Sequence, residues 1–589
     1  MLKQLITRIL KKQKLGIPPV LISVLAILSY SRILFLQDVF EDDNAWLLSV
    51  YASSNLSEFL KTGWTELRRI PQGVFLYYFL GAHRLFDNTF ILWQSLNLLI
   101  QVASPLLLYY FLNNLIKNKY LAFLSACCFI LYPIDSTLPV FSNIYYRIGI
   151  MLTITSFYLT ERVLHKDIKW VFLFIAIMLS GISHYILIEG TIALEPARLF
   201  FIGYIFYNKG ILSKNLIKKT LIIWLPFFLL CIPLIIYKLI FKPYGIYAGM
   251  YKTDISLLLN FKMHRELVKM LLFGNWRIMF LKYLSHLTVW SMLSGLLTAA
   301  AVIYMLRRSD VYGKLNLQMS NKSHPDVRAN GHSPLLIFVI LGVVLLIPPV
   351  IMYGLAGRVP NFGPNSRHGV ILQVGYAIIL GSILYAIYRK ASKGSGLLVV
   401  NLFIAIFFAL GVFFNNMNLD IYFSAWEKQK DFWQAFTKRF PTLPEKANFF
   451  LVIDPDRPMD HLNLDTYYDL EFVINMLYAK SKDPERFRNY RVIARDEWKS
   501  LEGHVEKSNN AFKRPSHWGD DIFKIEELII IHYSKNKFLM NKEIIEQYPD
   551  ILLYRILADR NFSELSVPKS HDAPESASYP LRKKLKGFY

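Results

Sequence analysis

Apolar runs of roughly 17 to 22 residues recur along the first 414 positions of the chain, and each is long enough to cross a bilayer as a helix. Only helices and closed barrels satisfy all their backbone hydrogen-bonding groups in lipid. Hydrophobic side chains make up 54% of the 589 residues, a fraction that excludes a soluble chain of ordinary domains. The sequence therefore predicts an α-helical polytopic membrane protein.

About eleven transmembrane helices fit these runs. The first run follows a basic N-terminus but is too long for a signal peptide and lacks its cleavage site, so we interpret it as an uncleaved anchor. A shorter apolar piece that begins at Ile70 is predicted to lie in the interface or to re-enter. The predicted spans are residues 17–37, 90–112, 120–135, 147–164, 170–187, 189–207, 220–240, 286–306, 334–353, 368–388 and 397–414.

Basic residues are concentrated in alternate connections between these helices, and such connections face the cytoplasm. The N-terminus is therefore predicted to be cytoplasmic, and everything after Phe414 to be extracytoplasmic. The chain is predicted to be a multi-pass integral membrane protein, in the plasma membrane or, if bacterial, the inner membrane. Topology then explains most of the formal net charge of +23, and no nucleic-acid partner is expected.

The composition changes after Phe414, which divides the chain into three predicted parts. Residues 1–414 form the transmembrane domain, residues 415–565 a small extracytoplasmic α/β domain, and residues 566–589 a flexible basic tail. Charged residues become more frequent in the second part, and short runs typical of strands occur there. These runs are residues 449–454, 490–495, 527–533 and 550–557.

Charged residues also gather on the predicted outer side, in loops longer than simple connections require. An unpaired charge at the start of a membrane helix is costly, which favours a function for it. Alone, the acids would also fit a mere water boundary, and the arginines would also fit contacts with lipid headgroups. His184 and Glu189, at a tight turn, are interpreted as satisfying each other. The candidate site residues are Asp42, Asp43, Arg69, Arg147, Arg367 and His368.

The order of these features resembles the N-terminal half of the GT-C superfamily of membrane glycosyltransferases. The likeness is nearest to the O-mannosyltransferases that use polyprenyl- or dolichyl-phosphate sugars, and it covers roughly residues 17–200, continuing loosely to Phe414. Gln94 and Gln101 stand where those relatives have histidine, and Tyr132 precedes the proline where they have histidine too. The counterparts of the family motifs are Asp42 with Asp43, Arg69 with Pro71, Asn97, Pro133 and Arg147.

The resemblance implies an inverting glycosyltransferase that moves a sugar from a polyprenyl-phosphate-linked donor to a glycan, lipid or protein acceptor outside the membrane. Such a donor carries an activated leaving group, so the enzyme needs one base for the acceptor hydroxyl and cations for the departing phosphate. Asp42 is predicted to be the base, and Asp43 to position it, bind the acceptor or share a divalent cation. The predicted phosphate ligands are Arg69, Arg147, Arg367 and His368.

Three other functions stay open from the sequence. The chain would also fit a transporter or flippase for lipid-linked sugars, a polysaccharide polymerase or ligase of another membrane fold, or a non-catalytic sensor. Transporters commonly carry internal repeats, and none is evident in this sequence. No group of His, Cys, Asp and Glu shows the spacing of metal ligands, so no metal site is predicted beyond the possible cation at the acidic pair.

Overall fold

The structure is a computed structural model, and it describes most of the first 440 residues and parts of the chain beyond them. The predicted strand at residues 550–557 and the predicted tail at residues 566–589 lie outside the described residues. The described residues are 17–36, 40, 42–61, 64–65, 69–82, 89–187, 189–211, 214–240, 265–266, 268–269, 275–284, 287–307, 333–355, 364–391, 396–441, 443, 447–453, 467–478, 490–494, 511–516, 519–524, 528–534 and 537–540.

Helices dominate the described part of the chain, which contains sixteen α-helices. Short 3-10 segments extend or precede several of them, and a π-helical turn, Ile182–Leu187, follows α8. The α-helices are α1 (Ile17–Tyr30), α2 (Asp42–Ala52), α3 (Leu56–Lys61), α4 (Ile70–Gly81), α5 (Thr89–Ile116), α6 (Lys119–Leu131), α7 (Ile144–Leu164), α8 (Val171–Gly181), α9 (Glu195–Asn208), α10 (Lys214–Ile240), α11 (Asn275–Tyr283), α12 (Val289–Arg307), α13 (Pro334–Leu355), α14 (Val370–Ala391), α15 (Leu397–Arg439) and α16 (Tyr467–Tyr478).

Within the described residues, six helices are long and apolar enough to cross a membrane, and three shorter helices are apolar as well. A helix occupies each of the ranges that the sequence predicts as a span. The mostly helical fold, compatible with a multi-pass membrane protein, is thus confirmed, while the number of spans stays a prediction. The six candidate spans are Pro18–Phe35, Phe90–Ile116, Lys214–Tyr237, Pro334–Leu355, Ser366–Ala391 and Leu397–Arg439.

The turn between α5 and α6 shows how the local sequence sets these boundaries. Lys117 has a φ of 57°, the left-handed conformation in which helices commonly end. Asn118 then caps α6, because its side-chain oxygen accepts a hydrogen bond from the backbone amide of Leu121 at 3.1 Å. Two helices that are predicted to cross the membrane in opposite directions are therefore joined by two residues.

The close packing of α14 depends on glycine, since small residues let membrane helices approach each other. A Cβ atom added at Gly375 would lie 2.8 Å from the carbonyl oxygen of Gly342 on α13. A Cβ atom added at Gly381 would lie 2.7 Å from the backbone nitrogen of Ser125 on α6. Helix α14 is therefore held between two neighbours by contacts that leave no space for a side chain at these positions.

Replacing Gly381 with alanine is expected to destabilise the helix bundle by about 1 to 3 kcal/mol, the usual cost of overpacking. The backbone of Ser125 has to shift because no flexible side chain can yield in its place. The matched control is Gly81→Ala, where an added Cβ atom meets no other atom within 4 Å. Thermal unfolding in detergent should show a lower Tm for Gly381→Ala only, and equal values for the two variants would contradict the close approach.

The described strands lie beyond α15 and form a four-stranded sheet and a separate hairpin. The sheet has the order β2-β1-β5-β6; β1 is parallel to β2 and to β5, and β6 is antiparallel to β5. Three predicted strands are confirmed as β1, β2 and β5, whereas β3, β4 and β6 were not predicted. The strands are β1 (Asn448–Ile453), β2 (Arg491–Ile493), β3 (Ala511–Ser516), β4 (Gly519–Lys524), β5 (Leu528–Ser534) and β6 (Lys537–Met540).

Helix α15 joins the membrane bundle to this sheet without a break. Its 43 residues correspond to about 64 Å of helix, twice the thickness of the hydrocarbon layer. The boundary predicted at residues 414/415 therefore lies inside the helix. At its far end the rings of Phe432 and Phe436 pack against Phe538 of β6, with centroids 5.3 and 5.5 Å apart. Helix α16 packs against α2, so the part of the chain that carries the sheet contacts the helix that begins with the acidic pair.

A buried ion cluster fastens the hairpin to the rest of the outer domain. Arg514 of β3 donates to Glu471 of α16 and to Asp521 of β4, both at 2.7 Å. Its third bond, at 2.6 Å, goes to the backbone carbonyl of Val492 in β2. One arginine therefore links four elements of the domain.

Candidate functional site

Helix α2 begins with the predicted acidic pair. The side chain of Asp42 lies outside the described residues. The carboxylate of Asp43 is fully buried and accepts hydrogen bonds from the backbone amides of Phe141 at 2.9 Å and Ser142 at 2.6 Å. Burial raises the pKa of Asp43 to about 7, and these amide donors act in the opposite direction. Asp43 thus ties the start of α2 to the turn that precedes α7.

Arg147 lies in the first turn of α7, and its guanidinium is paired with a carboxylate. Its Nε and Nη2 atoms lie 2.8 and 2.7 Å from the same carboxylate oxygen of Asp135, and its Nη1 donates to Asn97 at 3.2 Å. The other oxygen of Asp135 accepts from the amide and the hydroxyl of Thr137 at 2.8 and 2.7 Å. Asp135 and Arg147 therefore form a pair without net charge.

Polar residues of α5 hold the loop that carries Asp135. The Asn97 amide donates to the carbonyl of Leu138 at 2.7 Å, and the Gln94 amide donates to the carbonyl of Pro139 at 3.2 Å. Both side chains are fully buried, so these bonds satisfy carbonyls that would otherwise be unpaired inside the bundle. Gln94 and Asn97, two positions singled out in the sequence, therefore shape the outer loop.

Three of the predicted phosphate ligands gather near the start of α7. We call Arg69, Arg367 and His368 the outer cation cluster. Burial raises the pKa of Tyr145, and the nearby charges of Arg69 and Arg367 both act in the opposite direction. The ring of His368 stands edge-on to the ring of Tyr146, with centroids 5.5 Å apart. Arg69 and Arg367 are half-buried, and His368 is buried.

Hydrogen bonds fix the segment before α14 against the loop after α6. The Ser366 hydroxyl accepts from the amide of Ser136 at 2.9 Å and lies 2.8 Å from the Ser136 hydroxyl. Next to it, Arg367 donates to the side chain of Asn143 at 3.4 Å. Two outer loops that are 230 residues apart in the sequence are thus held together.

Residues 132–147, which we call the central outer segment, are where the predicted site residues meet. The Ser142 amide of this segment donates to Asp43, and its Asn143 accepts from Arg367. Arg147 is its last residue, and the charge of Arg69 acts to lower the pKa of its Tyr145. The structure brings Arg69, Arg367 and His368 together, but it pairs Arg147 with Asp135 instead of adding it to the outer cation cluster.

A small cavity with room for about one water molecule lies beside the Asp135–Arg147 pair, and residues of α1, α5, α6, α7, α14 and α15 line it. Its wall combines apolar side chains with amides and hydroxyls. The polar lining residues are Tyr30, Gln101, Ser104, Asp135, Arg147, Gln373 and Asn415.

The sequence interpretation missed the partner of Arg147. Asp135 follows α6 directly, four residues past its last residue, and Arg147 begins the next long helix. A buried arginine at a helix start requires a counter-charge, and the nearest acid along the chain would have supplied one. Asp135 could therefore have been found from Arg147 alone.

A second ion pair links the end of α1 to α12 and α15, and it was also missed. Arg32, just after α1, donates to the Asp420 carboxylate of α15 at 2.5 Å. The other oxygen of Asp420 accepts from the hydroxyls of Thr288 and Ser291, at the start of α12. Asp420 lies past the last predicted span, where the sequence indicated solvent, yet its side chain is only 1% exposed.

A third group of charges lies inside the bundle, and we call His184, Glu195 and Arg198 the buried triad. Glu195 lies 3.1 Å from the His184 ring and accepts from Nε of Arg198 at 2.7 Å. His184 also contacts the hydroxyl of Thr191 at 2.7 Å. The described acidic partner of His184 is therefore Glu195, whereas the side chain of Glu189, its predicted partner, lies outside the described residues.

Among the residues whose side chains are described, no group of three or more His, Cys, Asp or Glu is placed to hold a metal ion. The possible divalent cation at the acidic pair stays a prediction. No protein-family model matches the chain, and no curated protein matches its sequence.

Proposed function

We propose that the protein is an inverting glycosyltransferase of the GT-C type, which transfers a sugar from a polyprenyl-phosphate-linked donor to a glycan, lipid or protein acceptor outside the membrane. The observation that carries this proposal is the meeting of three outer loops at the central outer segment. They bring the acidic start of α2, Arg69 and the pair Arg367 and His368 to one place. An acid beside a group of cations is what transfer from a lipid phosphate requires.

Each residue has a separate role in this proposal. Asp42 takes the proton of the acceptor hydroxyl, and Asp43 fixes the start of α2, the helix that carries Asp42. The outer cation cluster holds the donor phosphate and stabilises it as it leaves. Arg147 is assigned to positioning Asp135 rather than to the phosphate, because a carboxylate already neutralises it.

The same proposal includes about eleven membrane spans, a cytoplasmic N-terminus and an extracytoplasmic outer domain. It predicts opposite accessibility for two exposed lysines, Lys428 on the outer part of α15 and Lys169 before α8. A membrane-impermeant thiol reagent should label Lys428→Cys in intact cells, and should label Lys169→Cys only after the membrane is permeabilised. The opposite pattern would reverse the topology.

Sugar transfer itself is tested with purified protein, radiolabelled polyprenyl-phosphate sugars and candidate acceptors. Arg69→Ala and Arg367→Ala are each expected to raise the KM for the donor by about tenfold or more, because each removes a charge that binds the phosphate. The matched control is Arg277→Ala, an exposed arginine on α11. No transfer with any lipid-phosphate sugar, or equal effects of all three substitutions, would contradict the proposal.

One observation favours a second function, a flippase for lipid-linked sugars. The buried triad lies within helices that fit predicted spans, and ionisable groups at such depth often mark transport pathways. Reconstituted liposomes with a fluorescent polyprenyl phosphate distinguish the two functions. Movement of the lipid between leaflets without any sugar transfer would favour the flippase.

A further inference from the structure

A group of lysines gathers where α5, α7 and α9 end, and sugar transfer gives it no role. The Nζ atom of Lys209, just after α9, donates to the backbone carbonyl of Leu164, the last residue of α7. Burial lowers the pKa of His165, and the nearby charges of Lys117 and Lys209 act in the same direction. Burial lowers the pKa of Lys209 as well, and so does the charge of Lys166. We call Lys117, Lys166 and Lys209 the lysine patch.

The positive charge of the lysine patch is only partly compensated by its neighbours. Two acids lie close by, but Asp167 lies 3.5 Å from Arg162, and Glu161 is fully buried beside a histidine ring at 3.3 Å. All three lysines are exposed, and none forms an ion pair with a described residue. Like charges repel, so an anion bound at the patch would relieve this repulsion. The patch is therefore suited to a phosphate group.

Two of these lysines adopt an uncommon backbone conformation. The φ angle is 57° at Lys117 and 63° at Lys166, and no other residue except glycine has a positive φ in the described part of the chain. Glycine takes this left-handed conformation at lower cost, and Gly210 does so with a φ of 74° at the end of α9. Lysine at the other two turns therefore gives up some local stability and places a charge there, and such outliers cluster at functional sites.

Exposed apolar side chains follow the lysine patch in the sequence. Helix α8 begins soon after Lys166, and Trp170 and Phe174 at its start are 60% and 63% exposed. Tryptophan is enriched at the level of the lipid headgroups, and lysine side chains extend toward the same level. The lysines that precede α8 are therefore expected to reach the phosphates of the bilayer, while the exposed face of α8 meets the acyl chains.

We infer that the lysine patch binds the phosphate group of an anionic phospholipid and thereby links the ends of α5, α7 and α9. The patch lies at the far end of α5 from Gln94 and Asn97, which hold the central outer segment, so this lipid belongs to the other leaflet. Anionic headgroups are favoured because each nearby lysine contributes to binding, whereas a zwitterionic headgroup has no net negative charge. Such a lipid site is compatible with a transferase and with a flippase alike.

Lipid preference is measured with the purified full-length protein in detergent. Phosphatidylglycerol and phosphatidylcholine with the same acyl chains are titrated separately, and native mass spectrometry gives the bound fraction at each concentration. The first phosphatidylglycerol should bind at least about tenfold more tightly than the first phosphatidylcholine. Equal affinities would overturn the inference. Displacement of phosphatidylglycerol by a polyprenyl phosphate at lower concentrations would also overturn it, because the occupant would then be the donor carrier and not a phospholipid.

The double variant Lys117→Gly/Lys166→Gly locates the site, because it removes two charges and relieves both positive φ angles. Its Tm in detergent should not fall, and its affinity for phosphatidylglycerol should be about tenfold or more weaker. The matched control is Lys218→Gln/Lys219→Gln, which removes two exposed lysines of α10 that the proposed topology places on the same side of the membrane. The control should bind like the unchanged protein. Equal losses in both variants would mean that general surface charge attracts the lipid, and would overturn the inference.

Lys209→Gln, tested separately, should weaken phosphatidylglycerol binding by about fivefold, the usual contribution of one lysine near an anionic lipid surface. Phosphatidylglycerol binding that is unchanged in both Lys209→Gln and Lys117→Gly/Lys166→Gly would place the lipid elsewhere on the protein and overturn the assignment to the lysine patch.

Discussion

Asp42→Asn is expected to lower the turnover of sugar transfer by about 10²- to 10⁴-fold, the usual contribution of a general base. Asparagine keeps the shape of the side chain and its reach, but it cannot take a proton from the acceptor hydroxyl. The affinity for the donor should barely change, because the outer cation cluster is intact. Initial rates with a radiolabelled donor give both kcat and KM.

Asp43→Asn serves as the control for Asp42→Asn. It also changes the start of α2, but it removes a hydrogen-bond acceptor and not the proposed base. The amide group of asparagine cannot accept from both the Phe141 and Ser142 amides, so one of these buried donors loses its partner. We expect a lower Tm together with any loss of activity. Asp42→Asn should leave the Tm unchanged, and a normally inserted Asp42→Asn protein with full activity would remove Asp42 from the chemistry.

Much of the membrane bundle could be predicted from the sequence because apolar length is a direct consequence of bilayer thickness. The cost of placing an unpaired charge at the start of a membrane helix likewise identified Arg147 as a candidate. Strands β1 and β5 were predictable because each is mainly an apolar run in the middle of the sheet, and β2 is a shorter apolar stretch at its edge. Strands β3, β4 and β6 carry no comparable pattern.

The extent of α15 could not be read from composition. Polar residues after Phe414 indicated solvent, but several lie inside the bundle and bond to distant backbone carbonyls. Asn415 donates to Ile130 at 3.0 Å, and Asn418 donates to Ser136 at 3.2 Å. Composition reports the average environment of a segment, whereas these asparagines are stabilised by single carbonyls far away in the sequence. The helix therefore continues where the sequence predicts a new domain.

The geometry of the site depended on contacts of the same long-range kind. The amides that bind Asp43 lie 98 and 99 residues away from it. No local sequence pattern identifies an aspartate whose carboxylate accepts hydrogen bonds from distant backbone amides. The residues around Asp43 therefore look like those around any acid at a membrane boundary. The acidic pair was predictable as a feature, but the burial of Asp43 and its hydrogen bonds to distant amides were not.

Arg198→Met is expected to destabilise the protein by about 3 to 5 kcal/mol, because it leaves the Glu195 carboxylate buried without its main counter-charge. Arg198 is fully buried; it donates to Glu195 and to Thr160, and its guanidinium lies 3.8 Å from the ring centroid of Phe227. Methionine keeps most of the packing volume and removes the charge. Thermal unfolding in detergent should show a large fall in Tm.

Assigning the loss of stability to the Glu195–Arg198 ion pair depends on comparing three further variants. Glu195→Gln should also destabilise, since it leaves Arg198 as an uncompensated cation, while the double variant Arg198→Met/Glu195→Gln should recover most of the loss. Arg162→Met is the matched control: its pair with Asp167 is partly exposed at 3.5 Å, so about 0 to 1 kcal/mol is expected. If Arg198→Met were as stable as Arg162→Met, the Glu195 carboxylate would have to be hydrated or protonated. A hydrated carboxylate would mean that the bundle contains water at this point, which the flippase function requires and the transferase function does not.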